Sequence, residues 1–267
     1  MATVKLNIAD VILALAFKDP QAAGSVKSFY QGFEGHGPPD VSIEVNWHGS
    51  YEFENLSHPI PGAPAGSASN GVYSVAWEHY SGSYCWDAGS GCCTVRGFMG
   101  LSHFLWALWA WLMPRYQGAL LHASSLSDNG LAYVFPAKSG TGKSTLVRNS
   151  PEFSVLSDEG SLVRLVHGSL LAYGSPFRSD NFRDHKWTRV PVAGIYFLEQ
   201  APEDRLISLS KAEGLERLVQ QTFLSSTDGE SRRRTFHTLL DLTQTTELSL
   251  LRLLNSPGFW RCIRRDN

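Results

Sequence analysis

The chain is poor in several features at once, and each shortage removes a class of function. Its 267 residues include only four cysteines, Cys85, Cys92, Cys93 and Cys262, and no C-x-x-C pair. Zinc fingers, ribbons and similar sites are therefore not expected, and the cysteines read as structural or incidental. Charge is sparse and balanced: 18% of residues are charged, with 23 Lys and Arg against 25 Asp and Glu, for a formal net charge of -2. That balance provides no general electrostatic pull toward nucleic acid or an anionic membrane. Long apolar runs are missing too. The best, FMGLSHFLWALWAWLMP at 98–114, contains Ser102 and His103 and is stopped by Pro114 and Arg115. It falls short of the roughly 20 apolar residues that cross a bilayer. It reads as a buried helix in which Trp106, Trp109 and Trp111, with Phe104, Leu105, Leu108 and Leu112, pack under a sheet. In the first stretch, MATVKLNIADVILALAFKDPQ, Asp10 interrupts the apolar run and no small-residue cleavage site follows. No secretory signal is expected, and the cytoplasm is the expected compartment.

What remains is an ordinary globular composition, 43% hydrophobic, in a chain long enough for one large domain or a core domain with an extension. Residues 1–117 read as a β-rich portion ending in the Trp-rich helix. VSIEVNW and GVYSVAWEHY alternate as strands do, HPIPGAPAGSASNG between them is a loop, and SGSYCWDAGSGCC at 81–93 reads as a turn between strands. Residues 118–267 follow a different rhythm. ALLHASSL and LAYVFP are strands joined by a tight SDNG turn, and FSVLSDEGSLVRLVHGSLLAYGSPF gives two or three more, with Asp158 and Glu159 closing the first. VPVAGIYFLEQ is a further strand. SKAEGLERLVQQTF is a helix with the capping-box pair Ser210 and Glu213. The last segment, from TELSLLRLL onward, reads as a helix or a strand–helix pair.

The informative stretch is FPAKSGTGKST, residues 135–145. It matches the phosphate-loop pattern G-x-x-x-x-G-K-[ST] except at its first glycine, which is Ala137 here. It follows an apolar strand and opens a helix at Lys143, the context the pattern needs. In such a turn the successive backbone N–H groups of Ser139, Gly140, Thr141, Gly142, Lys143, Ser144 and Thr145 surround an anion. Lys143 would reach the β- and γ-phosphates of ATP, and the Ser144 hydroxyl would hold Mg²⁺. SGTGKSTL is also how ABC transporter ATPases spell this loop. Only 14 residues separate Lys143 from Asp158, however, leaving no room for their helical subdomain, and no LSGGQ signature is present.

A histidine ahead of the loop, the loop itself and an acidic pair soon after it, LHASSL…AKSGTGKSTL…VLSDEG, resemble the HPr serine kinases and, more closely, the wider group of HPr-kinase-related proteins. That group includes the tailoring kinases of lasso-peptide clusters. The resemblance covers roughly residues 118–225. It implies an α/β protein whose core is a P-loop kinase domain of the HPr-kinase/PEP-carboxykinase-like type. It also implies ATP- and Mg²⁺-dependent transfer of phosphate to a hydroxyl, a serine of a peptide or small protein above all. Position by position, it makes His122 the histidine beside the transferring phosphate and Asp158 the general base. Glu159 becomes a metal ligand, where the family usually has aspartate. Arg178, in the Pro-Phe segment YGSPFRSD, becomes the cation that neutralises the transferred group. HPr kinases are oligomers, which leaves assembly of several copies open. The segment linked to their phosphorylase activity is missing here, so neither phosphorolysis nor HPr itself as substrate is implied.

Two other readings stay open at this stage. Ala137 and Glu159 favour a non-catalytic nucleotide-binding module, and a small-molecule hydroxyl is an alternative acceptor. The basic stretches RDHKWTR at 183–189 and SRRRTFH at 231–237 could close over a ligand or face water; for the second, water is the expected choice.

Overall fold

In the computed structural model the described residues are 1–51, 66–177, 186–224, 226–254 and 257–264. Among them the chain divides into two compact units. The first is drawn from residues 1–115 and 224–235, the second from 116–223 and 236–264. The boundary at Arg115/Tyr116 lies two residues ahead of the one read from sequence. The 224–235 segment, read above as part of the second domain, is grouped with the first unit.

The first unit is a seven-stranded sheet. Its strands are β1 (Ala2–Ile8), β2 (Val11–Phe17), β3 (Val41–His48), β4 (Ser67–Ser69), β5 (Val72–Trp77), β6 (Tyr80–Cys85) and β7 (Ser90–Arg96), in the spatial order β1-β2-β3-β7-β6-β5-β4. Its helices are α1 (Pro20–Phe29) on β1 and β2, and α2 (Gly97–Leu112) on β5 to β7. Residues 81–93, read as a turn, instead supply most of two strands. Tyr84 and Cys93 bury one face of each, and only 86–89 turn. Helix α1 also went unread, although Asp19 accepts from the Gln21 N–H as an N-cap and Pro20 opens the first turn.

The Trp-rich segment forms a helix, α2, that is buried along every residue from Phe104 to Leu112. No helix among the described residues is long and apolar enough to cross a membrane. Each indole nitrogen needs an acceptor once it leaves water. Trp109 Nε1 donates to the Ile8 carbonyl at 3.4 Å and Trp111 Nε1 to Ser231 Oγ at 3.1 Å. Trp111 also stacks on Tyr73 at 5.2 Å, with the Arg115 guanidinium 3.5 Å above its ring.

The second unit holds eight strands: β8 (Gly118–Asp128), β9 (Leu131–Pro136), β10 (Ser154–Ser157), β11 (Gly160–Val166), β12 (Ser169–Tyr173), β13 (Arg189–Gln200), β14 (Arg205–Ser208) and β15 (Leu248–Leu253). Its helices are α3 (Lys143–Arg148), α4 (Lys211–Gln220), α5 (Gly229–Thr245, which starts in the first unit's share of the chain) and α6 (Trp260–Ile263). β8 and β13 each change partners along their length, so the pairings close a ring β8-β9-β13-β12-β11. β9, β13 and β15 run parallel, which places their carboxyl ends on one edge.

Strand alternation sorts the core into two layers. Ala132 and Val134 of β9 join Leu121, Ile195, Leu218, Leu239 and Leu242 on one face. Tyr133 and Phe135 join Leu126, Tyr196, Leu198, Leu146 and Trp260 on the other. The second face carries α3 and hence the glycine loop. Coverage on both faces is what a sheet with parallel strands requires.

Two substitutions test these elements. Ser210→Ala removes the α4 capping box, in which Ser210 and Glu213 bond each other's backbone N–H, and should cost about 1 kcal/mol in urea unfolding. Trp111→Ala removes a stacked, hydrogen-bonded core indole and should cost roughly 3–5 kcal/mol in the same measurement. A change below about 1 kcal/mol would show that the α2 layer is not a packed core.

Candidate functional site

The site is built where β8 is interrupted on one flank. β10 pairs with residues 125–127 of β8 and β11 with 118–122, both antiparallel, and the two residues between them are Asp158 and Glu159. A register irregularity at 155–157 breaks the pairing just before the acidic pair. Glu159 stays tied to β8 because its carbonyl accepts from the Ala123 N–H at 3.0 Å. On the other flank β9 pairs with β8 and runs into the loop, and the Ala137 N–H donates to the His122 carbonyl at 3.2 Å. His122 thus stands between the loop and the acids because of strand pairing, not sequence proximity.

The loop curls in the way its glycines allow. Gly140 has φ +79 and Gly142 has φ +115, values that L side chains rarely adopt, and a Cβ at either would meet nothing within 4 Å. The Thr141 N–H donates to the Lys138 carbonyl at 3.2 Å, and the Leu146 N–H to the Gly142 carbonyl at 2.8 Å as α3 begins. Ser139, Gly140 and Ser144 are exposed; Thr141, Gly142 and Thr145 are half-buried.

Lys143 is 5% exposed, and its ammonium points back into the loop. It donates to the Ala137 carbonyl at 2.9 Å, lies 3.5 Å from the Lys138 carbonyl and 2.8 Å from His122 Nε2, and is 4.0 Å from Glu159 Oε2. Burial pushes its pKa down, while Glu159 and Asp158 pull it up, with a net lowering. Glu159 is the counterpart. Burial raises its pKa, but the hydrogen bond from His122 and the charges of Lys143 and His122 outweigh that and leave it below the usual carboxylate value.

His122 Nε2 is 2.7 Å from Glu159 Oε1 as well as 2.8 Å from Lys143 Nζ. One ring nitrogen cannot donate to the first and accept from the second together. With a proton it serves Glu159; without one it accepts from Lys143. Lys143 and Glu159 therefore make opposite demands on one ring position. The Phe223 ring stands 5.6 Å from the imidazole, and the backbone N–H of His122 donates to the Gln221 carbonyl at 2.7 Å.

Other predicted residues fall as follows. Asp158 is 2% exposed and within electrostatic reach of Lys143. The Ser-Pro-Phe segment lies beside β10, where the Ser175 N–H donates to the Leu156 carbonyl at 2.9 Å. Arg178 and Arg183 lie outside the described residues, while Lys186 is exposed. Of the 231–237 arginines, Arg232 and Arg233 are exposed and Arg234 pairs with Glu230 at 3.0 Å.

Two features escaped the sequence reading. Among the described residues the buried hydroxyls of Ser124 and Ser157 have no hydrogen-bond partner. Ser124 follows His122 by two positions, hence on the same face of β8, and Ser157 precedes Asp158. Gln200, the last residue of β13, donates its side-chain amide to the Thr141 carbonyl at 3.4 Å. The polar pair ending the apolar run GIYFLEQ was the available signal for it.

The groups present suit a nucleotide phosphate with Mg²⁺. The loop holds a nearly buried ammonium and two glycines whose added Cβ atoms would meet nothing within 4 Å, and Ser144 and Glu159 offer the hard oxygen donors that ion takes. Among the described residues no three His, Cys, Asp or Glu side chains gather as a metal cage. Mg²⁺ does not need one, since it usually relies on one or two carboxylates and substrate phosphates.

No curated protein matches the sequence. Residues 99–265, well over half of the chain, match the family model described as ScmC, SynChlorMet cassette protein ScmC, and the chain belongs to that family.

Proposed function

We propose that the second unit is an HPr-kinase-like P-loop kinase that uses ATP and Mg²⁺ to phosphorylate a hydroxyl, by preference a serine of a peptide or small protein. The observation that carries this reading is the meeting of Lys143, His122 and Glu159 within 2.7–4.0 Å at the glycine loop. Phosphoryl transfer asks little covalent work of a protein. It asks for charge neutralisation at the β–γ bridge and in-line placement of the nucleophile. Mg²⁺, when bound by Ser144 and Glu159, would supply much of that neutralisation.

The chain's own residues would do the rest. Lys143 would exchange its bond to His122 for the β- and γ-phosphate oxygens, which leaves His122 to hold Glu159. Asp158 would accept the proton of the acceptor hydroxyl as the new oxygen–phosphorus bond forms and the bond to the β-phosphate oxygen breaks, releasing ADP.

A second reading is favoured by the depth of Asp158, 2% exposed. A carboxylate that no acceptor reaches would leave a nucleotide-binding module without transfer.

One set of assays separates the two. With labelled ATP, Mg²⁺ and serine-containing peptides, the wild-type protein should transfer label. Lys143→Ala should lose ATP binding. Asp158→Asn should bind ATP normally and transfer about 10²–10⁴-fold more slowly. Tight ATP binding without turnover, unchanged by Asp158→Asn, would identify the binding module instead.

A further inference from the structure

The glycine loop has three consecutive peptide planes around Thr141, and two of them are held from within the loop. The plane before Thr141 is held by the Thr141 N–H on the Lys138 carbonyl, and the plane after Gly142 by the Gly142 carbonyl on the Leu146 N–H. The plane between them, joining Thr141 to Gly142, is held from outside: its carbonyl accepts from Gln200 Nε2 at 3.4 Å.

This plane is the one most easily overturned. It borders Gly142, at φ +115, with Gly140 at φ +79 one residue further back, and glycine accepts either sign of φ at little cost. No cis peptide bond occurs among the described residues, so the Thr141 C=O and the Gly142 N–H point in opposite directions. A carbonyl held by Gln200 therefore turns the Gly142 N–H away from Gln200.

The position of Gln200 follows from the sheet. β13 runs parallel to β9, with Ile195 opposite Val134, so both strands end on the edge where the loop begins. Along β13, Tyr196 and Leu198 pack on the face that also holds Leu146 of α3, and alternation places Gln200 on that face. Its neighbour Glu199, on the opposite face, is occupied by Arg252 at 2.8 Å.

We infer that Gln200 is a positioning residue for the phosphate loop. By holding the Thr141 carbonyl outward it keeps the Gly142 N–H aimed at a bound phosphate, without touching the phosphate itself. This inference rests on the phosphate-binding reading above and adds to it a residue that neither the loop pattern nor the acidic pair includes.

Inorganic tripolyphosphate, which has no base or sugar, separates this role from a contact with the nucleoside. Calorimetric titration of wild type, Gln200→Ala and the near-isosteric Gln200→Met with tripolyphosphate and with ATP, each with Mg²⁺, is the test. Loss of one hydrogen bond should weaken both ligands equally, by about two- to tenfold, in both variants. Because Gln200 is exposed, the thermal midpoint without ligand should not move, and in the transfer assay KM for ATP should rise with kcat unchanged. Wild-type binding of tripolyphosphate that survives both substitutions overturns this inference alone, as does weakening confined to ATP. Wild-type protein that binds neither ligand overturns the loop reading and this inference with it.

Discussion

A lysine ammonium folded back into its own loop is the constraint around which the second unit is arranged. A charge as buried as that of Lys143 is costly unless it is hydrogen-bonded and countered. Here the Ala137 and Lys138 carbonyls supply the bonds, and Glu159 and Asp158 supply opposite charge. Those partners come from separate segments that meet only if β8 is paired on both flanks. The acidic pair must interrupt one flank, and the glycine loop must leave the other. The interruption between β10 and β11 is therefore the structural device that brings carboxylates to the ammonium.

The same arrangement explains why this centre is unsettled chemically. His122 Nε2 faces a donor and an acceptor with a single proton position. Nearby, the buried hydroxyls of Ser124 and Ser157 lack partners among the described residues. Groups left competing or unmatched in a buried place carry a free-energy cost that a ligand can relieve. In the first unit the Trp109 and Trp111 indoles donate to a carbonyl and a hydroxyl, and Trp111 adds a tyrosine ring and a guanidinium. Asn7 Oδ1 and Trp47 Nε1, also buried there, have no hydrogen-bond partner among the described residues.

Much of this was legible in the residues, for reasons that differ by element. The Ser210–Glu213 cap, the start of α3 at Lys143 and the Asn129–Gly130 turn, with φ of +49 and +78, are local features whose chemistry is written in adjacent residues. The acidic pair was legible as two carboxylates closing an apolar strand, and Glu159 does stand beside Lys143 and His122. Residues 81–93 were misread because Gly and Ser are abundant there, and alternating burial of Tyr84 and Cys93 outweighed that composition. Helix α1 was missed although Asp19 and Pro20 announce it. The grouping of 224–235 with the first unit, and the reach of Gln200 to Thr141, depend on pairings between distant segments that local patterns do not encode.

A crystal structure with a non-hydrolysable ATP analogue and Mg²⁺ tests the phosphate-loop reading most directly. In it Lys143 Nζ should leave His122 for the β- and γ-phosphate oxygens, the Gly142 N–H should point at the analogue, and Glu159 should lie beside the metal. An analogue bound elsewhere, with the Lys143 ammonium still on the Ala137 carbonyl and His122, would overturn the phosphate-loop reading.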